Sequence, residues 1–187
     1  MTNLPHNNRM QPDFGKLALA SAADAGVMQK KERGMSVQIL DVNESNWREC
    51  VELKLTEEDQ KYVDRNVFAI AEWKFEPENV LKAIYSNSVL VGMLAYYIHD
   101  GKYGYFFWMY HLMIETQHQG KGYGEAAVKL ALKDMREVGA KDIRTSADIG
   151  NTRAENLYKK LGFEETGILE DSGSKLLRLS QDALKFA

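Results

Sequence analysis

Cysteine is almost absent: Cys50 is the one cysteine in 187 residues. An internal disulfide is therefore excluded, and so is a zinc site assembled from several thiolates. No metal is expected, and so little cysteine fits a reducing compartment, here read as cytoplasmic. No apolar run approaches the ~18–20 residues needed to cross a bilayer, so no membrane partner is expected. Positive charge is not in excess: Lys and Arg number 24 against 27 Asp and Glu, a net charge of −3. No basic stretch carries interleaved aromatics, so nucleic acid is not expected as a partner. Repeats and low-complexity blocks are missing as well. What is present is ordinary for a folded chain, with 44% hydrophobic and 27% charged residues in a length suited to one domain.

Proline is scarce, and two of the three prolines, Pro5 and Pro12, fall in an Asn-rich start. The small-residue run Leu17–Ala23 is short, is followed by Asp24 and lacks a basic region before it, so it does not read as a signal peptide. Composition assigns residues 1–34 to a flexible N-terminal extension or leader and residues 35–187 to the folded domain.

Regular patterning starts near Met35. Val37–Leu40 reads as a strand. Asn43–Asn46 offers helix caps before Trp47, Cys50, Val51 and Leu53. Further helices are expected over Glu57–Val63 and Val67–Lys74. Strands are expected over Val80–Tyr85 and Ser88–Ile98, joined at Ser86-Asn87, then a turn at Asp100-Gly101-Lys102 and a long strand over Gly104–Glu115. A glycine-rich turn, Gln117–Gly124, leads into a helix that Gly139 ends. Asp142–Ala147 is a strand and Asn151–Leu161 a helix closed by Gly162. Phe163–Leu169 and Lys175–Leu179 are the last strands. This order predicts an α/β or α+β domain around a mixed sheet.

The glycine turn reads Gln117-His118-Gln119-Gly120-Lys121-Gly122-Tyr123-Gly124. Glycines let the backbone approach a ligand closely. The following helix offers unpaired N–H groups and the positive end of its dipole, which suits a pyrophosphate. A P-loop is excluded because no Lys-Ser/Thr follows at the required spacing, and the glycines do not match G-x-G-x-x-G. About thirty residues on stands a second motif, Asn151-x-x-Ala154-x-x-x-Tyr158-Lys159-Lys160-Leu161-Gly162-Phe163.

This pair of motifs resembles the GNAT N-acetyltransferase superfamily over about Ser36–Leu179. The resemblance implies a mainly antiparallel central sheet flanked by helices, and acetyl-CoA as co-substrate. It implies that Gln117, His118, Gln119, Gly120, Lys121, Gly122, Tyr123 and Gly124 cradle the pyrophosphate. It implies that Leu112, Met113 and Ile114 pair with the pantetheine arm, and that Asn151, Ala154, Tyr158 and Lys160 also contact the cofactor. Tyr158 resembles the family's acid for the leaving thiolate.

Charge is divided in a way that fits. Residues 117–160 carry nine basic and six acidic side chains, residues 41–78 five basic and eleven acidic. The acidic stretch interleaves carboxylates with rings, as in Phe68 and Glu72-Trp73-Lys74-Phe75-Glu76. That combination suits an alkyl polyamine, whose methylenes pack on rings and whose ammonium groups meet carboxylates. Trp73 and Phe75 fit a hydrophobic core equally well. The layout from Trp47 to Pro77, with Trp108–Ile114, resembles bacterial spermine/spermidine acetyltransferases. The candidate acceptor contacts are Glu72, Phe75, Glu76 and Tyr110.

Neutralising a primary ammonium of pKa near 10.4 at pH 7 costs roughly 4.6 kcal/mol. Candidate bases are His111 and Glu115, which alternation places on one face of the strand with residue 113. Tyr158, a phenol protonated at pH 7, is the candidate acid. Direct attack needs no covalent enzyme intermediate, so Cys50 reads as a small buried residue. Other acceptors remain open: a protein N-terminus or lysine, an amino acid, an aminoglycoside. So does a non-catalytic acyl-CoA-binding regulator. The stretch Lys175–Ala187 is a candidate homodimer interface.

Overall fold

Alternating apolar and polar residues at Val37, Gln38 and Ile39 give a strand with one face inward. In the computed structural model, which describes residues 28–30, 35–76, 78–101 and 104–179, this is β2 (Met35–Asp41), paired at the sheet edge with β1 (Met28–Lys30). That short strand falls inside the stretch assigned to the extension. The rest of that stretch lies outside the described residues, as do 102–103 of the expected turn and 180–187 of the candidate interface.

The chain continues through α1 (Trp47–Glu52), α2 (Asn66–Phe75), β3 (Val80–Ser86), β4 (Val89–Gly101), β5 (Gly104–Ile114), α3 (Tyr123–Glu137), β6 (Ile143–Ala147), α4 (Thr152–Lys160), β7 (Glu164–Leu169) and β8 (Lys175–Leu179). These eight strands form one sheet in the order β1-β2-β3-β4-β5-β6-β8-β7. Every pairing is antiparallel except β5 with β6. That parallel pair needs a long crossover, and α3 supplies it.

Each face of the sheet buries its own cluster. On one side, Cys50 and Ala69 from α1 and α2 meet Leu81, Ala83, Met93 and Ala95. On the other, Ala127, Val128, Ala131 and Met135 form the inward stripe of α3. They recur at helical spacing and pack on Ile84, Leu94 and Met109. Fully burying a side chain of Met or Leu size contributes about 1.5–3 kcal/mol. Lys82 is a buried cation on this side and reaches Asp41 at 2.7 Å and Asp134 of α3 at 4.0 Å. α3 ends in paired bonds, Ala140 N–H to the Met135 carbonyl and Gly139 N–H to the Arg136 carbonyl.

Three local expectations change. No helix forms over Glu57–Val63; only a single 3-10 turn, Asp59–Lys61, is present. The stretch is too short and polar to bury a stripe. Side chains take its backbone groups instead: Thr56 Oγ1 accepts from Asp59 N–H at 3.1 Å, and Gln60 donates to the Val63 carbonyl at 2.8 Å. The β3–β4 hairpin turns at Asn87-Ser88, with φ of 48° and 66°, because Ser86 is still paired with Val89. Trp73 and Phe75 are no part of the core; Phe75 is 82% exposed.

Candidate active site

β5 pairs with β6 only through Phe107, Trp108 and Met109, opposite Ile143, Arg144 and Thr145. It stays paired with β4 as far as Ile114. The β4 register slips at one point: Ala95 faces His111 and Tyr96 faces Met109, which leaves Tyr110 as the extra residue of a β-bulge. A bulge bends its strand. Past it β5 and β6 part, and a cleft of about 450 Å³ opens between them.

The bulge also corrects the alternation expected for β5. Phe107 and Met109 belong to the α3 side, and beyond the bulge Leu112 and Ile114 pack on that side. Tyr110 packs instead on the α1–α2 cluster. Tyr110 and His111, adjacent in sequence, therefore both line a second pocket of about 240 Å³. Leu112, Met113 and Ile114 line the cleft.

The glycine turn forms the far wall of the cleft. Gly120 and Gly122 have φ of 73° and 85°, a conformation costly for residues with a Cβ. Gly122 is the N-cap of α3 and no side chain caps that helix. The backbone N–H groups of its first turn thus have no side-chain cap and suit an anion. His118, Gln119, Gly120, Gly122, Tyr123 and Gly124 line the cleft. Gln117 and Lys121 do not; Gln117 donates to Glu115 at 2.7 Å, and Lys121 donates to the Gln117 carbonyl at 2.9 Å. Glu125, in the first turn, is bridged by Lys160 at 2.7 Å and Lys129 at 3.0 Å, which hold its carboxyl below the usual range.

The second motif supplies the other wall. Asn151 caps α4, its Oδ1 accepting from Ala154 N–H at 3.1 Å. Asn151, Ala154, Tyr158 and Lys160 all line the cleft. Tyr158 is buried, with its ring 5.5 Å from that of Phe163. Burial pushes its phenol pKa up, and a hydrogen bond with Thr145 opposes this. Thr145 Oγ1 donates to the Met109 carbonyl at 2.8 Å. That bond fixes the Thr145 hydroxyl beside the Tyr158 phenol. The result is a protonated phenol held in the cleft beside the last paired residues of β5 and β6.

The second pocket is acidic. Asp64, Glu72 and Asp148 line it against one cation, Lys61. It meets the cleft at Tyr62, Val63, Tyr110 and Asp148, which line both. Of the expected acceptor contacts, Glu72 and Tyr110 line this pocket. Phe75 and Glu76, at the end of α2, line neither cavity.

The two candidate bases are separated. Glu115 lies past the end of β5, in a surface hollow with Arg48, Glu49 and Glu52, and lines neither cavity, although its carboxylate is 3.6 Å from His118 of the cleft. Alternation ceases to apply where the strand stops. His111 does line the second pocket, but it is nearly fully buried, and desolvation lowers its pKa to about 4. Asn66 donates from Nδ2 to the Cys50 carbonyl at 2.6 Å, so its Oδ1 faces His111 Nε2 at 2.7 Å and accepts from it. His111 is thus a neutral ring with its proton on Nε2, tying β5 to the first residue of α2. Cys50 is buried, and burial, with Glu49 nearby, pushes its thiol up to about 11.

Sequence reasoning missed Thr145, Tyr62 and Asp148. Asp148 carried a readable signal: ligands in sheets of this kind gather at the carboxyl ends of strands, and Asp148 directly follows β6.

A model of the acetyltransferase (GNAT) family matches residues 40–163. The spermine/spermidine N(1)-acetyltransferase of Bacillus subtilis (strain 168) is 26% identical over 149 residues, covering 76% of this chain and 97% of its own. The N-alpha-acetyltransferase of Sulfurisphaera tokodaii is 39% identical over a shorter match of 59 residues, 31% of this chain and 35% of its own. Among solved structures, spermidine N-acetyltransferase from Vibrio cholerae, in complex with CoA and spermine, superposes with a TM-score of 0.63 at 16% identity, covering 80% of this chain and 98% of that one. Mycobacterium smegmatis RimJ, in complex with CoA-disulfide, gives 0.67 at 15%, covering 88% and 93%. These two structural likenesses concern the fold.

Proposed function

The chain belongs to the acetyltransferase (GNAT) family, and from that premise we propose that it moves the acetyl group of acetyl-CoA onto a primary amine of a small cationic acceptor, of the spermidine and spermine class. The observation that carries this reading is the meeting of two unlike cavities. One has an uncapped helix N-terminus and a protonated tyrosine; the other has three carboxylates.

On this reading the first turn of α3 holds the pyrophosphate and the edge of β5 beyond Met109 pairs with the pantetheine arm. Asn151 and Ala154 bound the other side. The acceptor enters from the acidic pocket, where Asp64 and Glu72 meet its ammonium groups. Its nitrogen must first lose a proton, which passes to water. His111 is a poor acceptor for that proton because its burial disfavours the charged ring. The neutral amine forms a bond to the thioester carbon, the carbon–sulfur bond breaks, and the second proton leaves the nitrogen for water as the amide forms. Tyr158 donates its phenolic proton in a hydrogen bond to the departing sulfur. A thiolate whose thiol has a pKa near 8.5 is a weaker base than a phenolate, so the donated hydrogen bond contributes more than complete transfer.

Steady-state turnover with spermidine, spermine, lysine and a peptide tests this. Acetylation of the polyamines is the expected result. Turnover of the peptide alone would favour a protein N-terminus as acceptor, and acetyl-CoA binding without turnover of any amine would leave only a binding module.

A further inference from the structure

We propose that Asp148 receives the reacting end of the acceptor, where the acidic pocket opens into the cleft; this rests on the acetyl-transfer reading above. Four residues line both cavities, Tyr62, Val63, Tyr110 and Asp148, and Asp148 is the one carboxylate among them. An amine passing from one cavity to the other passes this charge.

The sheet sets its position. Asp148 directly follows Ala147, the last residue of β6, on the strand that has just parted from β5. Its orientation is set from the β7–β8 connection. Buried Ser174 donates from Oγ to Asp148 Oδ1 and lies 2.9 Å from Ser172 Oγ. Since the Ser174 proton goes to Asp148, Ser172 donates to Ser174. One of the roughly four acceptor positions of the carboxylate is taken in this way. The others serve an ammonium group.

The placement also bears on the class of acceptor. Asp64 and Glu72 belong to α2 and the residues just before it, on the α1–α2 side, whereas Asp148 directly follows β6. An alkyl chain with at least two ammonium groups satisfies both sides together; a monoamine satisfies one. Asp148 thus meets the end that reacts, which every primary amine has, while Asp64 and Glu72 favour diamines and polyamines at the far end.

The experiment is a steady-state comparison of wild type, Asp148→Asn and Asp148→Glu, with spermidine and with butylamine. For Asp148→Asn the expected result is a loss of about 10–100-fold in kcat/KM for spermidine. The acetyl-CoA KM stays within twofold, and Asp148→Glu recovers part of the loss. Butylamine turnover falls by a similar factor, because its single amine is the end that reacts. Ser174→Ala, which frees the carboxylate without removing it, gives a smaller loss with the same split. Wild-type turnover with an unchanged Asp148→Asn variant overturns this inference alone. So does a loss shared equally by donor and acceptor KM. No turnover of any amine by the wild type overturns the acetyl-transfer reading and this inference with it. If Asp148→Asn does not fold, the Asp148→Glu and Ser174→Ala measurements decide by the same criteria.

Discussion

The two cavities are built from different materials. The cleft proposed for the donor contributes backbone groups: the edge of β5 beyond Met109, the N-terminus of α3 and two left-handed glycines. The pocket proposed for the acceptor contributes side chains: Asp64 and Glu72 from the α2 region, Asp148 after β6, and rings between. Main-chain groups occur at every position, so a backbone site depends on geometry and tolerates exchange of neighbouring side chains. A side-chain site depends on each residue in turn. Donor recognition is therefore the part a family can share, and acceptor recognition the part in which its members differ.

The sharpest break in that comparison is Tyr158, a side chain in the backbone-built cleft. Tyr158→Phe keeps the packing on Phe163 and removes the proton. We expect kcat to fall about 10²–10⁴-fold, with the dissociation constant for acetyl-CoA within twofold by calorimetry. An unchanged kcat would remove Tyr158 from the chemistry.

His111 tests the floor of the acceptor pocket through pH. Its folded pKa of about 4 lies below the unfolded value of 6.5, so the unfolded chain takes up the proton first. Its contribution to stability is complete above pH 6.5 and is lost as pH falls toward 4, by up to about 3 kcal/mol. Denaturant midpoints between pH 7 and 4.5 should fall less steeply in His111→Gln than in wild type. Parallel slopes would count against a neutral, buried ring.

Gly122→Ala puts a Cβ at φ 85°, with an expected stability cost of about 1–2 kcal/mol. A severalfold rise in the acetyl-CoA KM should accompany it, and the acceptor KM should not move. Equal shifts in both would mean that the two cavities are not separately built.

The smallest effect belongs to single carboxylates. Glu72→Gln should raise the polyamine KM a few-fold, in keeping with a partly exposed ion pair, and leave the acetyl-CoA KM alone. Phe75→Ala should change neither by as much as twofold, since that ring lines no cavity.

Much of the donor side was legible in the chain. Gly120, Gly122, Asn151 and Tyr158 stand in short motifs whose meaning is local: a positive φ, a cap and a helix face are each decided within a few residues. The same locality explains why the strands and α3 were readable from their periods. The acceptor side was not. Glu115 was placed with His111 by counting alternate residues past the end of β5. Tyr110 was counted to the opposite face from His111 because a bulge is a property of two paired strands. Thr145 looked like any polar residue of β6 until Met109 was seen opposite it.

The sequence by itself determined the class of fold, the glycine-rich turn that opens α3 and the tyrosine of the second motif, because periodicity, glycine stereochemistry and helix capping act over a few residues. It also determined the imbalance of charge between the two halves. Only the tertiary structure decided which carboxylates gather where the two cavities meet. Register between β4 and β5 creates the bulge, the bulge parts β5 from β6, and that opening puts Asp148 beside Tyr110, 38 residues earlier in the chain. Long-range pairing of this kind depends on partners that no short stretch of sequence contains.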